Sequence, residues 1–557
     1  MNMKSFWWMA LAFTLLWMWL EWSQFTAQKS LEAQKMQAQT TEVPAASLPV
    51  QTNSENPSNQ EVPTAATSSQ AVPQVQASAP SQQRIYVKTD VLDVEIDTLG
   101  GDVRKLLLLA YGASEDRSKP FQLMGDSGQR YYVAQNGIAK VPGAHTVAPT
   151  HKDVYQAEKT HYQLQGETLT VPLVWEKDGV KVTKTYTFTK GDYVVKLAYR
   201  VENHTDKAWT GSLYSQLVRN RYDPDYNSFM YTYTGPVIYN PQAEDKYVKH
   251  PFDDLEMQPV TVNTQGGWVS MIQHYFISAA IPQQDKQNTL YAKALGEGKY
   301  AAGVVEPVVT IAPGQTGVLQ SELYFGPILQ ERLAEIAPGL ERTVDYGMLT
   351  FIAEPLFWLL EKIHSVVGNW GWAIILLTIL IKLLFYKLSE ASYRSMAKMK
   401  KFSPKLKQLK ENYGDNKQLF QKKMMELYRE EKINPLGGCL PILVQMPVFI
   451  ALYWVLLYSA EMRQAPWMGW IQDLSQPDPY YILPVLMGLT MYIQMKLNPS
   501  DMMDEMQQKV MRFLPFIFTI FFIFFPAGLV LYWVVNNILS VAQQWYITQK
   551  IQKGEAS

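Results

Sequence analysis

The sequence predicts a membrane α-helical bundle joined to a large all-β domain. Three observations carry that class. Between about Arg84 and Pro327, apolar and polar residues alternate with period two, and turn signals punctuate the runs. From Trp358 onward long apolar runs recur, and this part of the chain holds most of the methionines. A strongly basic stretch separates the first of those runs from the second. The mean hydropathy of −0.14 averages these halves and describes neither.

At 557 residues the chain exceeds a single compact domain of about 100–200 residues. A net charge of −1, from 50 Lys+Arg against 51 Asp+Glu, argues against a nucleic-acid binder working through bulk charge. The single cysteine, Cys439, excludes an intramolecular disulfide and a Cys-based zinc site.

The first 22 residues hold a short apolar run, Ser5 to Leu20, rich in tryptophan. Glu21-Trp22-Ser23 follows where a cleaved signal wants small residues, so residues 1–22 read as a membrane anchor. Residues 23–83, rich in Gln, Ser, Thr, Ala and Pro, read as a disordered tether. Residues 84–327 read as a β-sandwich. Within it Val180–Thr189 and Tyr193–Glu202 flank Lys190-Gly191-Asp192 as a hairpin, and Val304–Ile311 and Gly317–Phe325 flank Pro313-Gly314.

Residues 328–368 form a linker and an amphipathic helix suited to lie in the membrane interface, with Leu356, Leu359, Leu360, Ile363 and Val367 on its apolar face. The lone His364 at the edge of that face reads as structural. Spans follow at 369–388, 434–458, 480–495, 510–525 and 526–547, giving six with the anchor. The last two are separate because one helix from Val510 to Tyr546 would run nearly twice the ~30 Å hydrocarbon core, and Phe525-Pro-Ala-Gly528 suits a tight turn. Basic residues crowd 389–433, recur at 496–509 and in the tail 548–557, and are nearly absent from 459–479, where Arg463 stands alone. This places both termini in the cytoplasm and the β domain outside.

The basic segment 389–433 reads as a helical hairpin. Ser403-Pro404 opens one piece, with Met399, Phe402, Leu406, Leu409 and Tyr413 at helical spacing; Phe420, Met424, Leu427 and Tyr428 mark the other. Lys398, Lys400, Lys401, Lys405, Lys407, Lys410, Lys422 and Lys423 are its candidate docking residues for ribosomal RNA or anionic lipid; a solvated, cytoplasm-retaining face explains the same charge.

No zinc, nucleophile-elbow or phosphate-loop motif occurs, and no carboxylate pair sits within the spans. One charge stands inside a span, Lys382. It either snorkels toward the nearby cytoplasmic end or faces a wet cavity together with Thr378, Gln445, Asn536, Asn537 and Gln543. Met446 and Phe449 follow Gln445 at a spacing that suits core packing or adaptable apolar binding.

Asn434-Pro-Leu-Gly-Gly-Cys-Leu-Pro-Ile-Leu-Val-Gln-Met-Pro-Val-Phe-Ile-Ala-Leu-Tyr453 resembles the third-span signature of the YidC/Oxa/Alb family of bacterial membrane protein insertases. Asp478-Pro-Tyr-Tyr-Ile-Leu-Pro484 and Phe525-Pro-Ala-Gly-Leu-Val-Leu-Tyr532, with Asn537 and Gln543-Gln544, are similar to its fourth and sixth spans. The large β domain matches the Gram-negative form of the family. The resemblance implies a periplasmic β-supersandwich with a sugar-mutarotase-like topology, and a five-helix core in the inner membrane. It also implies a non-enzymatic, cofactor-free insertase and chaperone for integral inner-membrane proteins. The implied partners are nascent membrane proteins, the Sec translocon and its accessory components, the ribosome and signal-recognition-particle pathway, and membrane lipids, with no small-molecule substrate. A hydrophilic groove open to cytoplasm and lipid is implied, lined here by Lys382, Thr378, Gln445, Met446, Phe449, Tyr532, Trp533 and Asn537. The family carries arginine where this chain has Lys382, so positive charge is kept and the bidentate fork is lost. It also usually carries proline where Lys387 stands. The rival readings are a small-solute transporter, which would need repeated broken helices that the core lacks, and an envelope sugar-binding protein using the β domain.

Overall fold

The structure, a computed structural model, describes residues 83–113, 116–144, 147–223, 232–413, 416–430, 440–497 and 505–552. The anchor at 1–22, nearly all of the tether at 23–83, the motif residues 434–439 and the end of the tail lie outside the described residues. The described residues fall into two units, one β and one helical.

In the β unit, strict alternation generates the strands. Val180–Thr189 buries every second side chain, and it pairs antiparallel with Val194–Asn203, Val201 facing Val182 and Val195 facing Phe188. The turn between them needs Gly191 at φ +70°, and its N–H donates to the Asp90 carboxylate at 2.8 Å. Among the described residues, twenty strands assemble into an eleven-stranded and a nine-stranded sheet. Val182, Tyr186, Phe188 and Leu197 of the nine-stranded sheet share one core with Leu106, Leu213, Leu290 and Val304 of the other. Each such side chain contributes roughly 1.5–3 kcal/mol by leaving water.

The Pro313-Gly314 turn does not close a hairpin. Lys299–Val305 lies in the eleven-stranded sheet, whereas Thr316–Pro327 lies in the nine-stranded one between Phe276–Ile281 and Val194–Asn203. The expected strand Val304–Ile311 is also split by Glu306-Pro307-Val308, since proline has no N–H to give a ladder.

The helical unit contains α1 (Thr350–Val367), α2 (Trp370–Leu384), α3 (Tyr386–Lys401), α4 (Ser403–Tyr413), α5 (Lys417–Glu430), α6 (Leu440–Tyr458), α7 (Ile482–Leu497), α8 (Glu505–Phe522) and α9 (Ala527–Gln552). α9 is central and packs against α2, α3 and α7. Among the described residues no single helix is long and apolar enough to cross a membrane. α2 and the start of α3 are so only as a pair, bent by 63°. Thus the segment expected as one span at 369–388 breaks at Phe385, with no proline at 387. Beyond the break the residues turn polar, and burying Ser389 and Ser392 requires the chain to redirect while Lys387 stays exposed. The Gln543 side-chain amide reaches the Tyr386 carbonyl at 3.4 Å beside the break.

Two further features concern faces and lengths. α1 buries Ala353, Phe357 and Leu360, and Val367 is exposed. The helix stops at Gly368, in the left-handed region at φ +67° with its N–H on the His364 carbonyl; His364 itself stacks on Trp370 at 3.9 Å. Among its described residues the basic segment holds three helices, because α3 continues to Lys401 before α4 and α5 pair through Leu406, Tyr428, Phe402, Met424 and Leu427. At the other end of the core, α8 stops at Phe522 and α9 starts at Ala527, so the two are distinct helices.

Candidate functional site

α2 is seated at its first turn. Asn369 caps it by accepting the Trp372 N–H at 3.2 Å, and the Asn369 amide donates to the carbonyls of Pro466 and Trp467. Any Cβ on Gly371 would lie 2.2 Å from the Trp467 ring, so only glycine permits that approach. The same connecting segment receives the start of α9, where the Ala527 and Gly528 N–H groups donate to the carbonyls of Gln476 and Leu474. Buried Asp473 and Asp478 hold the segment in shape. Asp478 accepts from Trp470 Nε1, the Tyr480 N–H and the Leu483 N–H, the last at 2.7 Å, which ties down the first turn of α7.

Held this way, α2 and α9 bring Lys382 to Ser540. Lys382 Nζ donates to Ser540 Oγ at 2.7 Å, and Ser540 Oγ donates onward to the Asn536 carbonyl at 2.7 Å. Lys382 is only 8% exposed, so its stem runs into the bundle toward α9. α2, α6, α7 and α9 contain no Asp or Glu. The nearest acid along the chain, Glu390 on α3, is engaged by Arg394 at 2.9 Å. The ammonium therefore faces a neutral hydroxyl and no carboxylate of these helices. This arrangement can bind an incoming anion.

The remaining expected groove residues form separate contacts. Phe449 lies 6.0 Å from Tyr532 and 4.7 Å from Trp533, ring to ring, and joins α6 to α9. Gln445 and Met446 are half-buried on α6, one turn before Phe449. Asn537 Nδ2 donates to Thr490 Oγ1 on α7 at 3.4 Å. The Thr378 hydroxyl is committed to the Ile374 carbonyl one turn back on its own helix. An apolar cleft of ≈ 320 Å³ runs between α7 and α9, lined by Thr490, Ile493, Ile538, Val541, Ala542 and Trp545.

The docking lysines divide between helices. Lys398, Lys400 and Lys401 lie on α3, Lys405, Lys407 and Lys410 on α4, and Lys422 and Lys423 on α5. Lys405 and Lys422 are exposed, Lys405 lies over the Phe402 ring, and Lys423 pairs with Glu426 at 2.7 Å. The side chains of Lys398, Lys400, Lys401, Lys407 and Lys410 fall outside the described residues.

Ser540 was not singled out in the sequence, nor were Ser389, Ser392 and Thr490. The available signal was position: Ser540 follows Asn536 by four residues and Asn537 by three, on one face of α9. Among the described residues no cluster of His, Cys, Asp or Glu is set to hold a metal ion.

The β unit holds a second buried lysine. Lys184 is fully buried, donates to the Gly100 carbonyl at 3.0 Å, and lies over the rings of Tyr155, Tyr186 and Tyr199 at 5.8, 5.1 and 5.5 Å. Burial pushes its ammonium down to about 7 against the pull of the Asp102 carboxylate, and burial pushes Asp102 up to about 6.

Two family models match the chain: YidC periplasmic domain over residues 84–359 and 60Kd inner membrane protein over residues 362–554. The chain is 49% identical to the membrane protein insertase YidC of Thioalkalivibrio sulfidiphilus, over 99% of each sequence. It is 50% identical to that of Methylobacillus flagellatus, over 93% of this chain and 94% of the relative. Among solved structures it is similar to an active YidC insertase with its first transmembrane domain resolved. That likeness has a TM-score of 0.39 and 18% identity, over 84% of this chain and 93% of the other.

Proposed function

The chain belongs to the YidC family of membrane protein insertases, and we propose that it inserts its clients through a positively charged groove centred on Lys382. The protein is an inner-membrane insertase with a periplasmic β domain. In our reading it crosses the membrane six times, with both termini cytoplasmic and the β-supersandwich outside. The Lys/Arg crowding at 389–433 and its near absence at 459–479 support that orientation. The observation that carries the groove is the Lys382 ammonium, buried, 2.7 Å from a serine hydroxyl, on helices that contain no carboxylate.

The mechanism follows from solvation. A client segment with a short polar, often acidic flank must dehydrate that flank to cross hydrocarbon, and this is the barrier. A hydrated pocket with one uncompensated cation part-way through the bilayer shortens the dehydrated path and attracts carboxylates. The apolar part of the client slides along the Phe449, Tyr532 and Trp533 surface between α6 and α9 and leaves sideways into lipid. No bond is made or broken and no cofactor takes part. Hydrophobic partitioning of the client supplies the free energy, with the membrane potential acting on its charges.

We assign client, ribosome or signal-recognition-particle docking to the basic faces of α4 and α5, and contact with the Sec translocon to the β domain. Deleting residues 405–432 is expected to abolish ribosome association in a co-sedimentation assay; unchanged association would remove that role. For the groove, the test is protease protection of a single-span client with an acidic N-terminal tail, added to liposomes with and without this protein. Protein-dependent protection is the expected result.

A further inference from the structure

We propose that Ser540 is the positioning residue for the groove cation: it holds the Lys382 ammonium inside the bundle in the resting state and gives way to a client carboxylate. The proposal rests on the groove reading above. The polarity of the contact is fixed. The Ser540 hydroxyl proton is committed to the Asn536 carbonyl, so its lone pairs face outward and accept from Lys382. Ser540 is buried. An ammonium has three N–H donors. One is used on Ser540, and among the described residues no other hydrogen bond of Lys382 is made.

Two consequences follow. Without Ser540 the flexible lysine stem has no anchor on α9 and is free to swing toward the cytoplasmic headgroups, one to two turns away. With Ser540, the ammonium is held at depth by a neutral partner, which an ionised carboxylate outcompetes because a charge-assisted hydrogen bond is roughly twice as strong. A permanent carboxylate partner would neutralise the site, whereas a hydroxyl keeps the charge available.

The experiment compares two clients in liposomes, one with an acidic tail and one with the same tail neutralised, and reads the ratio of their insertion. Wild type, Ser540→Ala, Ser540→Thr and Lys382→Gln are each reconstituted at equal, folded amounts. Ser540→Ala is expected to lower the acidic-to-neutral ratio about fivefold, the worth of one modest hydrogen bond, and Ser540→Thr, which keeps the hydroxyl, to restore it. An unchanged ratio in Ser540→Ala, with the ratio lost in Lys382→Gln, would overturn the positioning role and leave the groove standing. Equal loss of both clients in Ser540→Ala would mark a structural role and also overturn it, as would failure of threonine to rescue. An unchanged ratio in Lys382→Gln would remove the groove reading itself.

Discussion

Two buried lysines divide this molecule. Lys184, in the β unit, is enclosed by three tyrosine rings and a backbone carbonyl, with the Asp102 carboxylate in reach of its field. Lys382, in the helical unit, has one hydroxyl on α9, on helices that supply no carboxylate. Both burials cost desolvation. At Lys184 three rings, a carbonyl and the field of a carboxylate offset part of that cost from inside the fold, so the charge is part of the architecture. At Lys382 the partner is a single neutral hydroxyl, and the field left over is what a client carboxylate can use. Compensation, more than burial, separates a structural charge from a poised one.

The largest effect expected from breaking this contrast is at Lys184. Lys184→Met strips three rings and a carbonyl of their cation and leaves Asp102 paired with Arg104 alone, at 3.2 Å, and should destabilise the β unit by about 3 kcal/mol. Adding Asp102→Asn should recover only part of that loss, because Arg104 then loses its ion pair. Urea unfolding of the full chain in nanodiscs, followed by a β-domain signal, measures both, while insertion below the transition should stay at the wild-type level.

The same pair sets a pH dependence. Asp102 is raised to about 6, so its contribution is fully present below its ordinary value near 4 and is lost as pH rises through 6. Lys184 is lowered to about 7, so its contribution is present above its ordinary value of 10.5 and is lost as pH falls through 7. The β unit should therefore show a shallow minimum in Tm between pH 6 and 7, and Asp102→Asn should flatten the acidic arm. A profile with no minimum would mean that the cluster is hydrated.

A smaller effect sharpens the other half of the contrast. Gly371→Ala forces the start of α2 away from Trp467 and should cost ~2 kcal/mol through overpacking. Because α2 carries Lys382 three turns further on, acidic clients should suffer more than neutral ones in the protease-protection assay.

The strands were legible because half-buried β-structure writes its period into the chain. In Val180–Thr189 the inward set is Val180, Val182, Lys184, Tyr186 and Phe188, so parity alone already pointed Lys184 into the core. Strand partners were not legible: Pro313-Gly314 reads as a hairpin turn, yet the chain changes sheets there, since period two fixes a face and leaves the neighbour open. In the helical unit the break before Ala527 was readable from Pro526 and from length. The bend at Phe385 was not, because the group that meets the backbone beside it, the Gln543 amide on the Tyr386 carbonyl, comes from another helix. Ser540 was hidden for the same reason. A serine in an apolar helix is unremarkable until its partner on another helix is known.

The most direct test of the central claim compares Lys382→Glu with Lys382→Arg on a single-span client carrying an acidic tail, read by protease protection in liposomes. Charge attraction predicts insertion close to wild type for arginine and a loss of at least about tenfold for glutamate, because like charges then meet in the groove. Equal insertion by the two variants would contradict the account.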